Sequence, residues 1–247
     1  MAGKIIVITG ANGGLGRALA QRFAGDGETV VLLGRSLDKV RAVADAIGGS
    51  ALAVECDVTS ADSVRAAFAE IARTHPKIDA LINNAAIFKP FLVEEASDEQ
   101  ILGAVLTNLA GPIFCSRSAI PMLSRGGHII NLSSESIDEP FAHLTLYQAT
   151  KAGLETFGVH LHAELGEKGI RVTTVRAGQM MGDGTTMPEM DPVAMERFFE
   201  ASMKRGLNLM ARGISQYHST TAIFRTLLDL PPDVHVGVVR FQSRVLD

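Results

Sequence analysis

Short apolar runs alternate along the chain with longer amphipathic stretches. Seven of these runs are continuous in hydrophobicity and rich in β-branched residues, which predicts strands in a sheet covered by helices on both faces. The predicted strands span residues 5–9, 29–33, 51–54, 80–83, 128–132, 171–175 and 234–239. Helical periodicity extends over residues 15–24, 37–47, 61–74, 98–123, 147–165 and 215–229.

The alternation of strand and helix predicts a parallel sheet joined by right-handed crossovers. Two α/β folds have this pattern at this chain length, the doubly wound sheet and the eight-stranded barrel. The pattern contains seven strands rather than eight, and the first strand runs straight into a glycine-rich turn. We therefore expect a single doubly wound, Rossmann-type α/β domain over residues 1–247, with about seven parallel strands and helices on both faces.

The least regular segment, residues 178–212, is rich in glycine, methionine and proline. It follows the sixth predicted strand. Enzymes with α/β folds place the loops that cover a substrate after the carboxyl ends of strands. We expect this segment to be a substrate-binding lid.

Composition and charge narrow the function classes. Hydrophobic residues make up 47% of the chain and charged residues 20%, which is enough for a sizeable core. The net charge of −4, without clusters of lysine or arginine, argues against nucleic acid or a membrane surface as a partner. The sequence shows no signal peptide and no membrane-spanning stretch. Cys56 and Cys115 lack metal-ligand spacing, so we expect reduced thiols in a cytoplasmic protein without a metal site.

A glycine-rich loop follows the first predicted strand and opens the first predicted helix. Its sequence is Thr9-Gly10-Ala11-Asn12-Gly13-Gly14-Leu15-Gly16, a T-G-x-x-x-G-x-G pattern. Glycines let the chain turn sharply and bring backbone N–H groups close to a phosphate, and the following helix points its positive end at that charge. The loop therefore predicts a dinucleotide site rather than an ordinary tight turn. The predicted cofactor-binding residues are Gly10, Asn12, Gly13, Gly14, Leu15 and Gly16.

This glycine spacing resembles that of the short-chain dehydrogenase/reductase family, and the resemblance extends over roughly residues 4–180. It implies that Asp57 and Val58, after the third strand, contact the adenine of a nicotinamide dinucleotide. It also implies that the segment Asn83-Asn84-Ala85-Ala86 corresponds to the family's N-N-A-G motif, with Asn84, Ala85 and Ala86 at the cofactor. Ala86 replaces the last glycine of that motif and adds one methyl group beside the cofactor.

The end of the second predicted strand bears on which dinucleotide is bound. An NAD site places a carboxylate there to accept a hydrogen bond from the ribose 2′-hydroxyl, whereas this chain has Gly34-Arg35. A guanidinium pairs well with a 2′-phosphate, so Arg35 favours NADP over NAD. Gly13 stands where many NADP-preferring relatives carry a second basic residue, which leaves NAD as the alternative.

Tyr147 and Lys151 lie four residues apart in a predicted helix and therefore on one face of it. Reduction of a carbonyl leaves an alkoxide that needs a proton, and a phenol with a pKa of about 10 is a poor donor at neutral pH. A nearby ammonium group and the positive nicotinamide favour the phenolate and lower this pKa. The pair is suited to acid–base catalysis, and both residues also belong to the predicted cofactor site.

The resemblance assigns two further catalytic residues. Ser134 precedes Tyr147 by the separation that the family uses, so its hydroxyl would hold the substrate oxygen. Ser133 is interpreted as a strand-end hydroxyl bonded to local backbone. Asn108 matches a helix asparagine that in relatives holds a water molecule between the lysine and solvent, and an amide in so apolar a helix would need a partner if buried.

The chain departs from the family pattern after the sixth strand. Relatives carry Pro-Gly there and, a few residues later, a threonine that touches the nicotinamide amide. This chain has Ala177-Gly178 and then Gly182. The backbone at Gly178 and Met180 is expected to contact the carboxamide instead, with Thr185 or Thr186 as a source of a hydroxyl group.

The predicted substrate pocket is mainly apolar. Its expected walls are Glu135, Ser136, Phe141, His143, Leu144 and the methionines of the lid. Methionine is apolar and adaptable, so this lining favours a compact hydrophobic substrate. His143 is either a polar anchor or an ordinary loop histidine, and His160 and His162 are interpreted as packing on a helix surface or at an interface.

Together, Asn108, Ser134, Tyr147 and Lys151 predict an oxidoreductase that transfers a hydride between NADP and a small carbonyl or alcohol, with Tyr147 as acid and base. The alternative is a non-catalytic protein that senses the dinucleotide on the same fold. Such sensors usually lose the tyrosine or the lysine, both of which this chain keeps. A dehydratase or epimerase on this fold is a further alternative, and the resemblance also implies a homodimer or homotetramer.

Overall fold

A parallel sheet forms the centre of the computed structural model, which describes residues 3–182 and 191–245. The strands are β1 (Ile5–Thr9), β2 (Thr29–Gly34), β3 (Ala51–Glu55), β4 (Ile78–Asn83), β5 (Leu123–Ser134), β6 (Arg171–Ala177), β7 (Met180–Met181), β8 (Ser215–Gln216) and β9 (Val238–Arg240). Seven of them form one sheet in the order β3-β2-β1-β4-β5-β6-β9, and β7 pairs with β8. The strand order reverses between β1 and β4, which is where doubly wound sheets bind ligands.

Helices cover both faces of this sheet. They are α1 (Gly14–Gly25), α2 (Leu37–Ile47), α3 (Ala61–Thr74), α4 (Asp98–Val105), α5 (Gly111–Ala119), α6 (Thr145–Glu164), α7 (Pro192–Lys204) and α8 (Tyr217–Asp229). α1, α2 and α8 pack on one face of the sheet, and α3, α5 and α6 pack on the other. In β1, Ile6 and Ile8 pack against the helices α1, α2 and α8, and Val7 packs against the helices of the other face. Because both faces of the strand are covered, its sequence is continuously hydrophobic. The predicted doubly wound α/β fold is confirmed.

The helical periodicity predicted over residues 98–123 is confirmed nearly to its end, but the region is not one regular α-helix. α4 ends at Val105, a π-helical turn spans Leu106–Ala110, and α5 ends at Ala119. Pro121 has no N–H with which to continue an α-helix, and the chain passes through a short 3-10 turn, Ile120–Met122, into β5. The fifth strand therefore begins before the position that hydrophobicity alone indicates.

The last predicted strand, residues 234–239, is also corrected. β9 is shorter and begins at Val238. The residues before it reach β6 through individual hydrogen bonds, from the Thr173 hydroxyl to the Val236 carbonyl (2.6 Å) and from the Thr174 N–H to the Gly237 carbonyl (2.9 Å). These side-chain and single backbone contacts hold the segment at the sheet edge without a regular ladder.

The segment interpreted as a lid contains a helix that the sequence analysis did not predict. α7 begins at Pro192, where proline is tolerated, and the Asp191 carboxylate caps it by accepting from the Val193 N–H at 2.9 Å. Residues 183–190 of the lid, with Thr185 and Thr186, lie outside the described residues. None of the described helices is long and apolar enough to cross a membrane.

Three histidines, His128, His162 and His235, lie together near the amino ends of the strands. The glycine loop lies at the opposite edge of the sheet, at the carboxyl ends of β1 and β4. His162 stacks on His235 with ring centroids 3.4 Å apart, which is a packing role. His128 is buried, and its Nε2 lies 2.8 Å from the Thr173 hydroxyl. Burial, with the charge of Arg171 and the neighbouring histidines, lowers the pKa of His128 to about 3.

This buried histidine predicts a loss of stability in acid. Between pH 6.5 and 3 an unfolded His128 binds a proton that the folded form rejects, so wild-type stability falls as pH drops through that window. His128→Gln removes this titrating group. The variant is expected to reduce the slope of the unfolding free energy against pH by up to about 1.4 kcal/mol per pH unit. Urea unfolding between pH 7.5 and 4.5 measures the slope. His160→Gln, an exposed change on α6, is the control, and equal slopes for wild type and His128→Gln would contradict the assignment.

Candidate active site

The glycine loop leaves the carboxyl end of β1 in a conformation that needs glycine. Gly10 has a φ of +65° and Gly14 a φ of +53°, both in the left-handed region. A Cβ on Gly16 would lie 2.5 Å from the Gly10 carbonyl oxygen and 2.6 Å from Nδ2 of Asn84. No side chain fits there, so the loop and the start of α1 are held in close contact with the end of β4.

Thr9, the last residue of β1, holds this contact together. Its hydroxyl oxygen accepts hydrogen bonds from the N–H groups of Asn84 (3.0 Å) and Ala85 (2.9 Å). The Asn84 amide in turn donates to the Thr9 carbonyl at 2.9 Å. Polar side chains thus fix the glycine loop against the segment after β4.

A cavity of about 340 Å³ opens above this loop. Gly10, Asn12, Gly13, Gly14 and Leu15 line it, whereas Gly16 lies behind them. A Cβ on Gly13 would meet nothing within 4 Å, and α1 starts without a side-chain cap, so its first N–H groups are available to an anion. The loop therefore fits the pyrophosphate of a dinucleotide.

The other predicted cofactor residues surround the same cavity. Arg35, at the end of β2, is exposed and lines it. Asp57, Val58 and Asn84–Ala86 line it as well. The Asp57 carboxylate accepts hydrogen bonds from the Thr59 N–H (3.0 Å) and hydroxyl (2.8 Å), so one carboxylate oxygen shapes the turn after β3.

A second cavity, of about 370 Å³, adjoins the first. Tyr147 and Ser134 lie in its wall, and most of the remaining wall is apolar, including Phe88, Phe141 and Phe198. Tyr147 packs edge-to-face on Phe88, with ring centroids 5.2 Å apart. The two predicted catalytic hydroxyls thus face an apolar chamber next to the dinucleotide cavity.

The side chains of Tyr147 and Ser134 are neighbours in this wall. Burial raises the pKa of the Tyr147 phenol, and the neighbouring Ser134 hydroxyl partly opposes that rise. The Ser134 oxygen also accepts from the Ser136 N–H at 3.1 Å, which fixes the serine at the end of β5. A substrate oxygen bound between these hydroxyls would lie within reach of both.

Lys151 lies one helical turn after Tyr147 and is buried. Its ammonium donates to the Leu132 carbonyl at 2.7 Å and lies 5.8 Å from the centre of the Tyr147 ring. Burial lowers the pKa of Lys151 to about 8. Ser133 donates to the backbone carbonyl of Lys151 at 3.0 Å, which confirms the backbone-bonding role expected of that serine.

Asn108 lies in the π-helical turn between α4 and α5 and is fully buried. Its amide oxygen accepts from the Ile87 N–H (2.8 Å), and its amide nitrogen donates to the Ile87 carbonyl (3.0 Å). The nitrogen also lies 3.4 Å from the Thr150 hydroxyl, next to Lys151. The amide thus ties the segment after β4 to α6, and the water-holding role stays a prediction.

The segment after β6 belongs to the larger cavity. Gly178 and Met180 line it and do not line the cavity above the glycine loop. A Cβ on Gly178 would lie 2.9 Å from the Phe241 carbonyl oxygen, so this glycine lets the C-terminal segment pack closely. Of the predicted pocket residues, Glu135, Ser136, Phe141 and Leu144 line the cavity and His143 does not.

Two functional candidates were not found by sequence reasoning. Tyr217, at the start of α8, lines both cavities, and its ring lies 3.7 Å from where a Cβ on Gly14 would be. Arg212 lines the larger cavity and pairs with Glu135 at 3.3 Å. Both residues are far from the glycine loop and the tyrosine–lysine pair in sequence, so no local pattern marks them.

Among the residues that the structure describes, no cluster of histidine, cysteine and carboxylate side chains could hold a metal ion.

Comparison with known proteins gives matches along most of the chain. The family model for short chain dehydrogenases matches residues 4–191. The NADP-dependent 3-hydroxy acid dehydrogenase YdfG of Salmonella typhi is 32% identical over 183 residues, 72% of this chain and 73% of that protein. Carbonyl reductase family member 4 of Danio rerio is 33% identical over 184 residues, 74% of this chain and 78% of that one. The structure of a short chain dehydrogenase from Burkholderia cenocepacia J2315 in complex with NADP has a TM-score of 0.82 at 26% identity and covers 98% of this chain and 97% of its own.

The buried ammonium predicts a measurable dependence of stability on pH. An unfolded lysine keeps its proton up to a pKa near 10.5, whereas folded Lys151 releases it near 8, so wild-type stability rises with pH between those values. Lys151→Met lacks this gain. Relative to the variant, wild type is expected to gain roughly 2–3 kcal/mol between pH 7.5 and 10.

Urea unfolding at several pH values measures this difference. Lys168→Met, which removes an exposed lysine, is the control and should keep a constant difference from wild type. A constant difference for Lys151→Met as well would show that the ammonium is not desolvated.

Proposed function

The chain belongs to the short-chain dehydrogenase family, and from that premise we propose that it is an NADP-dependent enzyme that reduces a small ketone or aldehyde, or oxidises the corresponding alcohol. The family places it among the oxidoreductases that use a nicotinamide dinucleotide. The observation that carries the specific proposal is the position of Tyr147 and Ser134 side by side in the wall of an apolar cavity beside the glycine loop.

Tyr147 is the proton donor in reduction and the proton acceptor in oxidation. A carbonyl oxygen held by the Ser134 and Tyr147 hydroxyls receives the phenolic proton as negative charge develops on it. The bound dinucleotide supplies or accepts the hydride. The Lys151 ammonium lies 5.8 Å from the phenol ring centre, and its positive charge would stabilise the phenolate that forms when Tyr147 gives up its proton.

The residues around the smaller cavity fit NADP. The glycines would admit the pyrophosphate to the start of α1, and Asp57 and Val58, which line the same cavity, are expected to contact the adenine. Arg35 supplies a guanidinium for the 2′-phosphate. Tyr217 would contact the dinucleotide near the boundary of the two cavities, because it lines both.

The substrate side is formed largely by the segment 178–212, which we propose to be the lid. From α7, Phe198 packs on Phe88 and Phe141, with ring centroids 6.0 Å away in both cases. Arg197 and Glu95 form a two-point ion pair, at 2.8 and 2.9 Å, that links α7 to the 3-10 turn Val93–Glu95. The family resemblance also supports a homodimer or homotetramer as the assembly.

Tyr147→Phe tests the catalytic assignment. Loss of the phenolic proton is expected to lower kcat for carbonyl reduction at least about 100-fold, because general acid catalysis contributes this much. NADPH oxidation with a panel of ketones and aldehydes, followed by absorbance, gives the rate. Since Phe keeps the ring, NADPH binding measured by the cofactor's own fluorescence should stay within about threefold.

The same experiment separates the alternatives. Retained turnover in Tyr147→Phe would refute the acid–base role. A wild type that binds NADPH but reduces no member of the panel would favour a dinucleotide sensor on this fold.

Arg35→Ser tests the cofactor preference. Removing one charge-assisted contact to the 2′-phosphate should weaken NADPH binding roughly tenfold or more and leave NADH binding nearly unchanged. Titrations followed by cofactor fluorescence measure both constants. Arg41→Ser on α2, which removes a charge that pairs with Asp38, is the matched control. Equal kcat/KM values of the wild type for NADP and NAD would show that the preference is absent.

A further inference from the structure

A carboxylate stands beside the predicted catalytic hydroxyls. Glu135 directly follows Ser134, lines the larger cavity, and has a side chain that is only 9% exposed. Oε2 accepts a hydrogen bond from the Gln242 amide at 2.9 Å, and Oε1 lies 3.3 Å from Nη2 of Arg212. Both carboxylate oxygens therefore have partners, and the charge is balanced by one guanidinium.

Arg212 has further donors to offer. Its guanidinium lines the same cavity and lies 5.9 Å from the centre of the Phe141 ring. Glu135 is its ion-pair partner within the described ranges 3–182 and 191–245. An arginine has five N–H donors in a fixed plane, so one pairing at Nη2 leaves others directed elsewhere. A hydrogen-bond acceptor that enters the cavity can use them.

The rest of the cavity wall is apolar, which strengthens electrostatic interactions between charged groups inside the cavity. Phe88, Phe198, Leu209 and Met195 give the cavity an apolar lining. In such surroundings a charge interacts more strongly with its neighbours than it does in water. Glu135 and Arg212 together are neutral, so any charged group that joins them leaves a net charge in a place that solvates it poorly.

We propose that the Glu135–Arg212 pair selects uncharged carbonyl substrates that carry a second, neutral oxygen acceptor, such as a keto ester or keto amide, and disfavours keto acids. This inference rests on the function proposed above and specifies its substrate class. A neutral acceptor takes a hydrogen bond from Arg212 without disturbing Glu135. A carboxylate would compete with Glu135 for the guanidinium and would face a second negative charge beside it.

The inference separates this chain from one of its relatives. YdfG of Salmonella typhi is named as a 3-hydroxy acid dehydrogenase, and its substrates therefore carry a carboxylate. The charge balance of this cavity points to a different substrate class for the same chemistry.

Matched acid and ester ligands test the proposal. The two pairs are benzoylformate with its methyl ester and acetoacetate with its methyl ester. Binding is measured by calorimetry with NADP⁺ present, under which condition the ketone is not reduced, and kcat/KM is measured separately with NADPH. The esters are expected to bind at least about tenfold more tightly than the acids, because like charges in a desolvated site strongly disfavour binding.

Glu135→Gln is the decisive variant. Glutamine keeps the shape and an acceptor oxygen for Arg212, but it removes the negative charge and leaves the guanidinium unbalanced. Acid binding should tighten about tenfold while ester binding changes little, so the preference shrinks or reverses. Glu164→Gln, which removes an exposed charge at the end of α6, is the control and should leave the ratio unchanged.

The outcomes distinguish this inference from the proposed function. Three results would overturn the inference. Wild type could bind the acids as tightly as the esters or more tightly, or it could bind neither ligand class. The third result is a folded Glu135→Gln variant whose ratio of ester to acid affinity equals that of wild type. Discrimination in the calorimetric experiment together with no NADPH oxidation would instead support the inference on binding and refute the proposed reduction.

Discussion

The site depends on the hydrogen bond that the buried ammonium of Lys151 donates to the backbone carbonyl of Leu132. A charge enclosed in an apolar interior must be fixed by strong local contacts, and here the Leu132 carbonyl accepts from it at 2.7 Å. Ser133 bonds the backbone of the same lysine, and the Asn108 amide approaches the hydroxyl of Thr150 beside it. These contacts fasten α6 to β5 and to the segment after β4. The position of the phenol of Tyr147 follows from them, since it lies one turn earlier on the same helix.

The dinucleotide cavity is organised in the same way. The side chains of Thr9 and Asn84 form hydrogen bonds with backbone groups of the segment after β4 and of the glycine loop. Gly16, which has no side chain, lets the loop and this segment approach each other closely. Buried and half-buried polar groups hold this arrangement together, and Arg35 and Tyr147, which would meet the ligands, line the two cavities. Preorganisation of this kind positions reacting groups without reorganisation when the ligand arrives.

The sequence predicts the parts of this arrangement that depend on local spacing. A tyrosine and a lysine four residues apart share a helix face wherever the helix lies, and a glycine-rich turn after a strand meets the start of the next helix. It does not predict contacts that depend on tertiary packing. Tyr217 reaches the glycine loop because α8 packs beside α1, and Arg212 reaches Glu135 because the chain returns to the cavity after α7. The π-helical turn at Asn108 is likewise invisible to periodicity, because both flanking segments have helical patterns.

The predicted catalytic residues and part of the wall of the larger cavity come from different parts of the chain. The family match ends at residue 191, and it contains the glycine loop, Ser134, Tyr147 and Lys151. Phe198, Arg212 and Gln242 lie beyond it and form or support the wall that faces the substrate. Both partners of Glu135, Arg212 and Gln242, come from the part of the chain outside the match. Under the proposal made above, contacts between the matched framework and the C-terminal part would select the charge of the substrate, so the names of relatives inform the reaction more than they inform the molecule that undergoes it.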